Sequence, residues 1–236
     1  MEKLKTGAAG LGINLSAAQL SQFQLYYEEL IDWNTRFNLT AITEYQSVQL
    51  NHFLDSLTLA LVWQPSAGSR VLDVGAGAGM PGIPLKITFP QIKLTLLEAT
   101  GKKVGFLRHV VDKLALRDVE IISGRAEDVA HQPAHRANYN IVLARALAAM
   151  PALAELTLPF CVNGGLVVAY KKGAIEQEIS AAGRAIQLCG GRLKVVQPVN
   201  LPEFTDNRFL VVLDKIAPTP IVYPRRPGLP AKSPLI

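Results

Sequence analysis

The sequence predicts an α/β fold: a doubly wound, mainly parallel sheet with an N-terminal helical extension and an antiparallel terminal hairpin. Three observations carry this. From Arg70 onward, short and almost continuously apolar runs alternate with stretches of helical periodicity, the signature of parallel strands covered on both faces by crossover helices. A glycine-rich turn follows the first of those runs, where doubly wound sheets hold a ligand against a helix start. Residues 1–62 show no such alternation; their apolar side chains recur at helical spacing instead.

The elements follow in order. Ser16 with Gln19 forms a capping-box pattern ahead of Leu20, Phe23, Tyr27, Leu30 and Ile31. A second helical run spans about Val48–Val62, with Phe53, Leu57 and Leu61 on one stripe, and Pro65-Ser66-Ala67-Gly68 reads as a linker. Strands are expected at Arg70–Val74, Lys93–Glu98, Val119–Ser123, Tyr139–Ala144 and Leu166–Tyr170, and helices at about Met80–Phe89, Lys102–Leu114, Ala149–Phe160 and Ala174–Cys189. Arg192–Val199 and Arg208–Leu213 have no helix between them and read as the terminal hairpin. The tail from Ile216 holds six prolines and three basic residues, Arg225, Arg226 and Lys232, with no acid. It cannot be regular helix or central strand, which leaves a disordered terminus or an extended basic arm packed on the body. The organisation is thus an extension (1–64), a catalytic domain (65–215) and a tail (216–236).

Composition narrows the function. Apolar residues make up 49% and charged residues 18%, which suits a folded core. No run of about 18 apolar residues or signal-like leader is evident, so neither membrane nor export is expected. The setting expected is cytoplasmic. Cys161 and Cys189 have no metal-ligand spacing, and His52, His109, His131 and His135 form no metal pattern, so no metal is expected. The net charge of +5 is uneven: residues 1–62 carry −3 and the remainder +8, a basic body suited to nucleic acid.

The chemistry concentrates at four strand ends. Val71-Leu72-Asp73-Val74 runs into Gly75-Ala76-Gly77-Ala78-Gly79, where glycines permit positive φ and close approach of backbone to ligand. Asp73 is placed to order the loop or to support a ligand amino group through water. Glu98 ends the second strand about 20 residues beyond the turn, where an acid takes ribose hydroxyls. Gly124-Arg125-Ala126-Glu127 follows the third strand, and the N–H groups of Ala126 and Glu127 could meet an adenine edge. Arg145 emerges at the end of the fourth strand. The tight G-x-G-x-G after an Asp resembles the first motif of S-adenosylmethionine-dependent methyltransferases. Gly77, Gly79 and Gly82 also match G-x-G-x-x-G, which keeps an NAD-dependent oxidoreductase as an alternative, although Pro81 and Pro84 make an unusual setting for it. A non-catalytic RNA-binding protein is a third reading. No Asn/Asp-Pro-Pro-aromatic run and no cysteine nucleophile setting is present, which disfavours exocyclic amines and pyrimidine carbon as acceptors. Guanine N7 fits: its lone pair is exposed and no general base is needed.

Taken together and in order, VLDVGAGAGMPGIPL, LLEATGKKVGFLR, GRAE and ARALA, with WNTRFNLTAI, HFLDSLTLA and YPRRPGLPAKSPL, resemble the ribosomal small-subunit methyltransferase G family, also called glucose-inhibited division protein B. The match spans about Trp33 to Leu235. It implies a Rossmann-like S-adenosylmethionine-dependent methyltransferase sheet and methylation of guanine N7 in 16S ribosomal RNA, the small ribosomal subunit being the partner. It implies cofactor contacts at Gly75 and Met80, at Glu98, Ala99 and Thr100, at Ala126 and Glu127, and at Arg145; the turn itself adds Gly77 and Gly79 as cofactor contacts, and its place at the strand end makes Arg145 the candidate positioning residue. Lys102, Lys103, Arg108, Lys171, Lys172, Arg225, Arg226 and Lys232 are the RNA candidates by charge. Gly105 departs from the larger, often basic residue expected in that helix.

Overall fold

A computed structural model describes residues 1–236. The chain opens with α1 (Glu2–Gly10) and α2 (Ala17–Asn34). Ser16 and Gln19 close the capping box on α2: the Ser16 hydroxyl accepts from the Gln19 N–H and the Gln19 side chain accepts from the Ser16 N–H. The run expected at Val48–Val62 is helical but not one α-helix. It comprises α3 (Tyr45–Val48), a π-turn (Gln49–Leu54), α4 (Asp55–Leu57) and a 3₁₀ turn (Thr58–Leu61). Hydrophobic spacing reads the shared stripe but not a change of hydrogen-bond register within it, and such π segments are frequent at functional sites.

The sheet then alternates as its apolar runs predict. β1 (Arg70–Val74), β2 (Lys93–Glu98), β3 (Val119–Ser123), β4 (Tyr139–Arg145) and β5 (Cys161–Lys172) pair in parallel, in the spatial order β3-β2-β1-β4-β5. Their crossovers are α5 (Gly82–Thr88), α6 (Gly101–Lys113), α7 (Ala126–Val129) and α8 (Met150–Thr157). α8 ends in a 3₁₀ turn at Leu158–Phe160, where Pro159 has no N–H to continue the ladder. The helix expected at Ala174–Cys189 is divided at Ala182 into α9 (Glu176–Ala181) and α10 (Gly183–Leu188). β6 (Gly191–Pro198) and β7 (Arg208–Lys215) form the antiparallel hairpin, with β7 inserted between β5 and β6.

Strand side chains alternate between two cores. Val71, Leu94, Leu96, Ile141, Leu143 and Val168 pack with α5 and α6. Leu72, Val74, Leu97, Val142, Ala144 and Val167 pack with α7, α8 and α10. Leu4, Phe23, Tyr26, Leu30, Phe53 and Leu57, from residues 1–62, belong to the first of these cores, so the extension shares the hydrophobic interior of the sheet. The tail is ordered. Arg136 donates to the carbonyls of Thr219, Pro220 and Tyr223, Arg225 pairs with Glu155, and α11 (Leu229–Lys232) follows. Of the two readings of the tail, packing on the body is the one observed; its prolines leave it few backbone donors, and its carbonyls are satisfied by guanidinium instead.

Candidate active site

The order β3-β2-β1-β4-β5 reverses direction between β1 and β4. The loops leaving these two strands diverge there and open a crevice at the carboxyl edge of the sheet. The glycine turn leaves β1 and Arg145 ends β4, so these two sequence-predicted features meet at that crevice.

Gly75, Gly77 and Gly79 adopt φ of 72°, 61° and 91°, a region closed to most side chains. A Cβ at Gly75 would lie 2.7 Å from Leu147, and one at Gly82 would lie 2.6 Å from Leu96, so both positions need the bare backbone. Two carboxylates hold the turn. Glu98 accepts from the N–H of Gly77 at 2.9 Å and of Thr100 at 2.8 Å, which ties the turn to the start of α6. Asp73 accepts from the N–H of Gly82 at 2.9 Å, while its second oxygen is buried without a partner. Burial pushes the Asp73 carboxyl up to about 7. From the extension, the Tyr26 hydroxyl donates to the carbonyl of Ala78.

Two cavities meet at the end of β4. The first, about 320 Å³, is lined by Gly75, Glu98, Ala99, Lys103, Ala126 and Glu127 among others. It has a size typical of small-ligand sites. Its walls are largely apolar, from Leu97, Leu147 and Leu156, and Glu98 supplies a carboxylate. Ala126 and Glu127 open α7, so their N–H groups have no partner within that helix. This donor set fits a nucleoside with a flat base and ribose hydroxyls: slots for the one, a carboxylate for the other. The orphaned Asp73 oxygen is a polar group of the kind that a bound molecule or water satisfies.

The second cavity, about 450 Å³, is lined by Asn51, His52, Asp55, Arg145, Tyr170, Lys171, Lys172, Glu178, Arg208 and Phe209 among others. Ala146 borders both cavities and has φ 52°. Arg145 donates to Asp55 at 2.9 Å and to the Asn51 carbonyl at 3.1 Å, and its guanidinium lies 3.4 Å from the Met80 sulfur. Arg208 takes the other Asp55 oxygen at 2.8 Å and also donates to the Asn51 side chain. Asp55 is therefore shared by two guanidiniums, all three groups buried or nearly so. Burial, then the Arg145 charge, lowers His52 to about 4, so it is neutral at physiological pH. The π-turn and α4 together supply Asn51, His52 and Asp55. These three, with Arg208, Tyr170 and Glu178, were not singled out from the sequence. An acid within an apolar helical stripe, Asp55 in HFLDSLTLA, is the one signal that could have pointed to them.

The cationic candidates divide by their partners. Lys171 donates to Glu178 and to the Ala148 carbonyl, and Lys172 pairs with Asp206. Arg225 forms a two-pronged pair with Glu155, which is fully buried; of the tail's three cations it is the one spent on structure, a departure from the reading of it as a free RNA contact. Lys102 lies over the Phe37 ring, Lys103 lines the first cavity, and Arg108, Arg226 and Lys232 are exposed. Cys161 and Cys189 are buried and pushed up to about 12 by burial.

Residues 19–206 match the family described as rRNA small subunit methyltransferase G. The chain belongs to the rRNA small subunit methyltransferase G family. Relatives named ribosomal RNA small subunit methyltransferase G include one from Dehalococcoides mccartyi, 55% identical over the full length of both chains. Another, from Roseiflexus castenholzii, is 46% identical over the full length of both. A third, from Bacillus cereus, is 43% identical over 95% of this chain and 94% of its own. Among solved structures, a SAM-dependent methyltransferase from Aquifex aeolicus superposes with TM-score 0.53 at 18% identity, over 72% of this chain and 93% of that one. A precorrin-6y C5,15-methyltransferase from Geobacter metallireducens gives 0.53 at 16% identity, over 69% and 87%. These share the Rossmann-like methyltransferase fold, which for the methyltransferase G family chain is the sheet described above. Family membership sets aside the dinucleotide-dependent oxidoreductase and the non-catalytic alternative.

Proposed function

We propose that this protein transfers a methyl group from S-adenosylmethionine to guanine N7 in 16S ribosomal RNA of the small subunit, in the cytoplasm. The observation that carries this reading is the meeting of two cavities at Ala146, beside Arg145, at the switch point of the sheet. One cavity has the chemistry of a nucleoside site; the other, lined by basic and aromatic side chains, suits a base presented from RNA.

The donor supplies an electrophilic methyl on a sulfonium. Gly75, Gly77 and Gly79 let the backbone come close to it, and Glu98, already fixed by two N–H groups, offers its remaining lone pairs to ribose hydroxyls. Ala99 and Thr100 flank that carboxylate, Ala126 and Glu127 face the base end, and Met80 sits against Arg145. Arg145, gripped by Asp55, is a rigid cation at the junction that orients the target. Guanine N7 carries no proton, so the chain need only align donor and acceptor; proximity is the main catalytic contribution. Lys102, Lys103, Arg108, Arg226 and Lys232 are our candidates for phosphate contact; Lys171 and Lys172 would have to exchange Glu178 and Asp206 for phosphate, and Arg225 serves through the tail it anchors.

The experiment is incubation with labelled S-adenosylmethionine and small subunits lacking the modification, followed by chemical cleavage at methylated guanine. Label in a single 16S position, cleaved as N7-methylguanine, is expected. No incorporation into small-subunit RNA overturns the reading.

A further inference from the structure

The C-terminal tail does more than pack. Gly228 and Ala231 line the first cavity together with Glu98, Ala126 and Glu127. The tail reaches that place through ties to α7, to α8 and to the loop after α7. The Gly228 N–H donates to Glu127 at 2.8 Å. Arg225 gives three hydrogen bonds to the Glu155 carboxylate from its side chain and a fourth from its backbone N–H at 2.7 Å. Glu155 is fully buried in α8, and its neighbour Leu156 lines the cavity. Just upstream, His131 meets the Pro224 carbonyl at 2.8 Å and Arg136 holds the Tyr223 carbonyl at 3.0 Å. An ionised carboxylate taken wholly out of water is costly unless it is paired and hydrogen-bonded with good geometry. A merely solubilising tail would not need Glu155 to be buried beneath it.

We propose that Gly228–Ala231 form a wall of the donor site, closing over the purine end of S-adenosylmethionine. The inference rests on the donor reading of the first cavity given above. Its geometry is specific. Glu127 holds the tail through its side chain, at the turn whose backbone faces the base. Gly228 has φ 81°, which lets the chain turn down onto Glu127 and start α11 there. Leu156 and Leu147 are apolar lining of the slot, and the exposed Ala231 borders it. The exposed Arg226 and Lys232 lie on the same short segment, so a phosphate held by them sits next to the donor.

Cysteine protection tests this. The two native thiols are buried and their pKa values are raised to about 12, so they stay silent to a maleimide at neutral pH. Ala231→Cys places a reactive thiol at the exposed cavity edge, and Lys232→Cys places one a residue further along, outside the lining. Donor binding to each variant is measured by calorimetry with S-adenosylmethionine, and alkylation is timed with and without saturating donor. The expected result is at least tenfold slower alkylation of the thiol at 231 with donor present, and less than twofold change at 232. Donor binding without protection at 231 overturns the wall and leaves the donor reading intact. No donor binding to either variant or to the parent overturns the donor reading and the wall together. Equal protection at 231 and 232 assigns the effect to general tightening of the tail and overturns the wall.

Discussion

Asp73 is the residue on which pH acts most directly. It is fully buried, holds the Gly82 N–H and titrates at about 7 against 3.8 in an unfolded chain. Between those values the native state keeps a proton that the unfolded state has released, so its contribution favours folding below about 4 and is lost by about 7. Urea unfolding at pH 5 and pH 8 is expected to show a larger loss of stability in the parent than in Asp73→Asn, whose amide oxygen still accepts from Gly82. Equal losses would remove Asp73 from the pH dependence. Residues of this kind were legible in the sequence because their roles are local: a glycine at positive φ or an acid at a strand end declares itself within a few positions. Asp55 and Arg208 were not, because they are 153 residues apart and each reads alone as an ordinary charge.

At the scale of elements, β1, β2 and β3 have the bounds that their apolar runs predict. β1 and β2, buried on both faces, announce themselves by composition, and β3, half-exposed at the sheet edge, does so by its β-branched run. Helix interiors were less legible where a backbone change leaves the hydrophobic stripe intact, as in the π-turn at Gln49–Leu54. That turn feeds Asp55 between two guanidiniums, and Asp55→Ala would leave the largely buried Arg145 without a carboxylate, while Arg208 would keep Asp206. The substitution is expected to cost about 3–5 kcal/mol in denaturant unfolding; a loss under ~1 kcal/mol would mean Arg145 relaxes into solvent. In α6, Gly105 has helical backbone and a Cβ there would meet only Trp33, at 3.9 Å. Gly105→Ala is therefore expected to stabilise by roughly 0.5–1 kcal/mol, read as a rise of about 1–4 °C in Tm at this chain length.

For the molecule as a whole, the charge asymmetry seen in the sequence acquires an arrangement. The acidic N-terminal segment is fused into the core behind the glycine turn, through Tyr26 and Phe53, and the cations are left to the sheet body and tail. Removing Arg226 and Lys232 together, each to Ala, is expected to weaken RNA binding. It should flatten the plot of log affinity against log salt by up to ~0.7–0.9 per cation. Binding that keeps its slope would place the RNA elsewhere. Boundaries drawn from composition, at 64 and 215, mark changes of pattern; the core contacts of Leu4, Phe23 and Leu57 ignore the first of them.

The grip of Asp55 on Arg145 and Arg208 spans 90 and 153 residues, and the Glu127–Gly228 contact spans 101. Closing such loops costs chain entropy before any contact rewards it, and long-range pairings set slow folding rates. Helices α1, α2 and α6 close their hydrogen bonds within segments of 9, 18 and 13 residues, whereas the second cavity is complete only with β7 paired between β5 and β6 and Arg208 beside Asp55. The tempo at which a refolding chain acquires a working pocket is thus governed by topology, and helical signal in the far ultraviolet will return ahead of it.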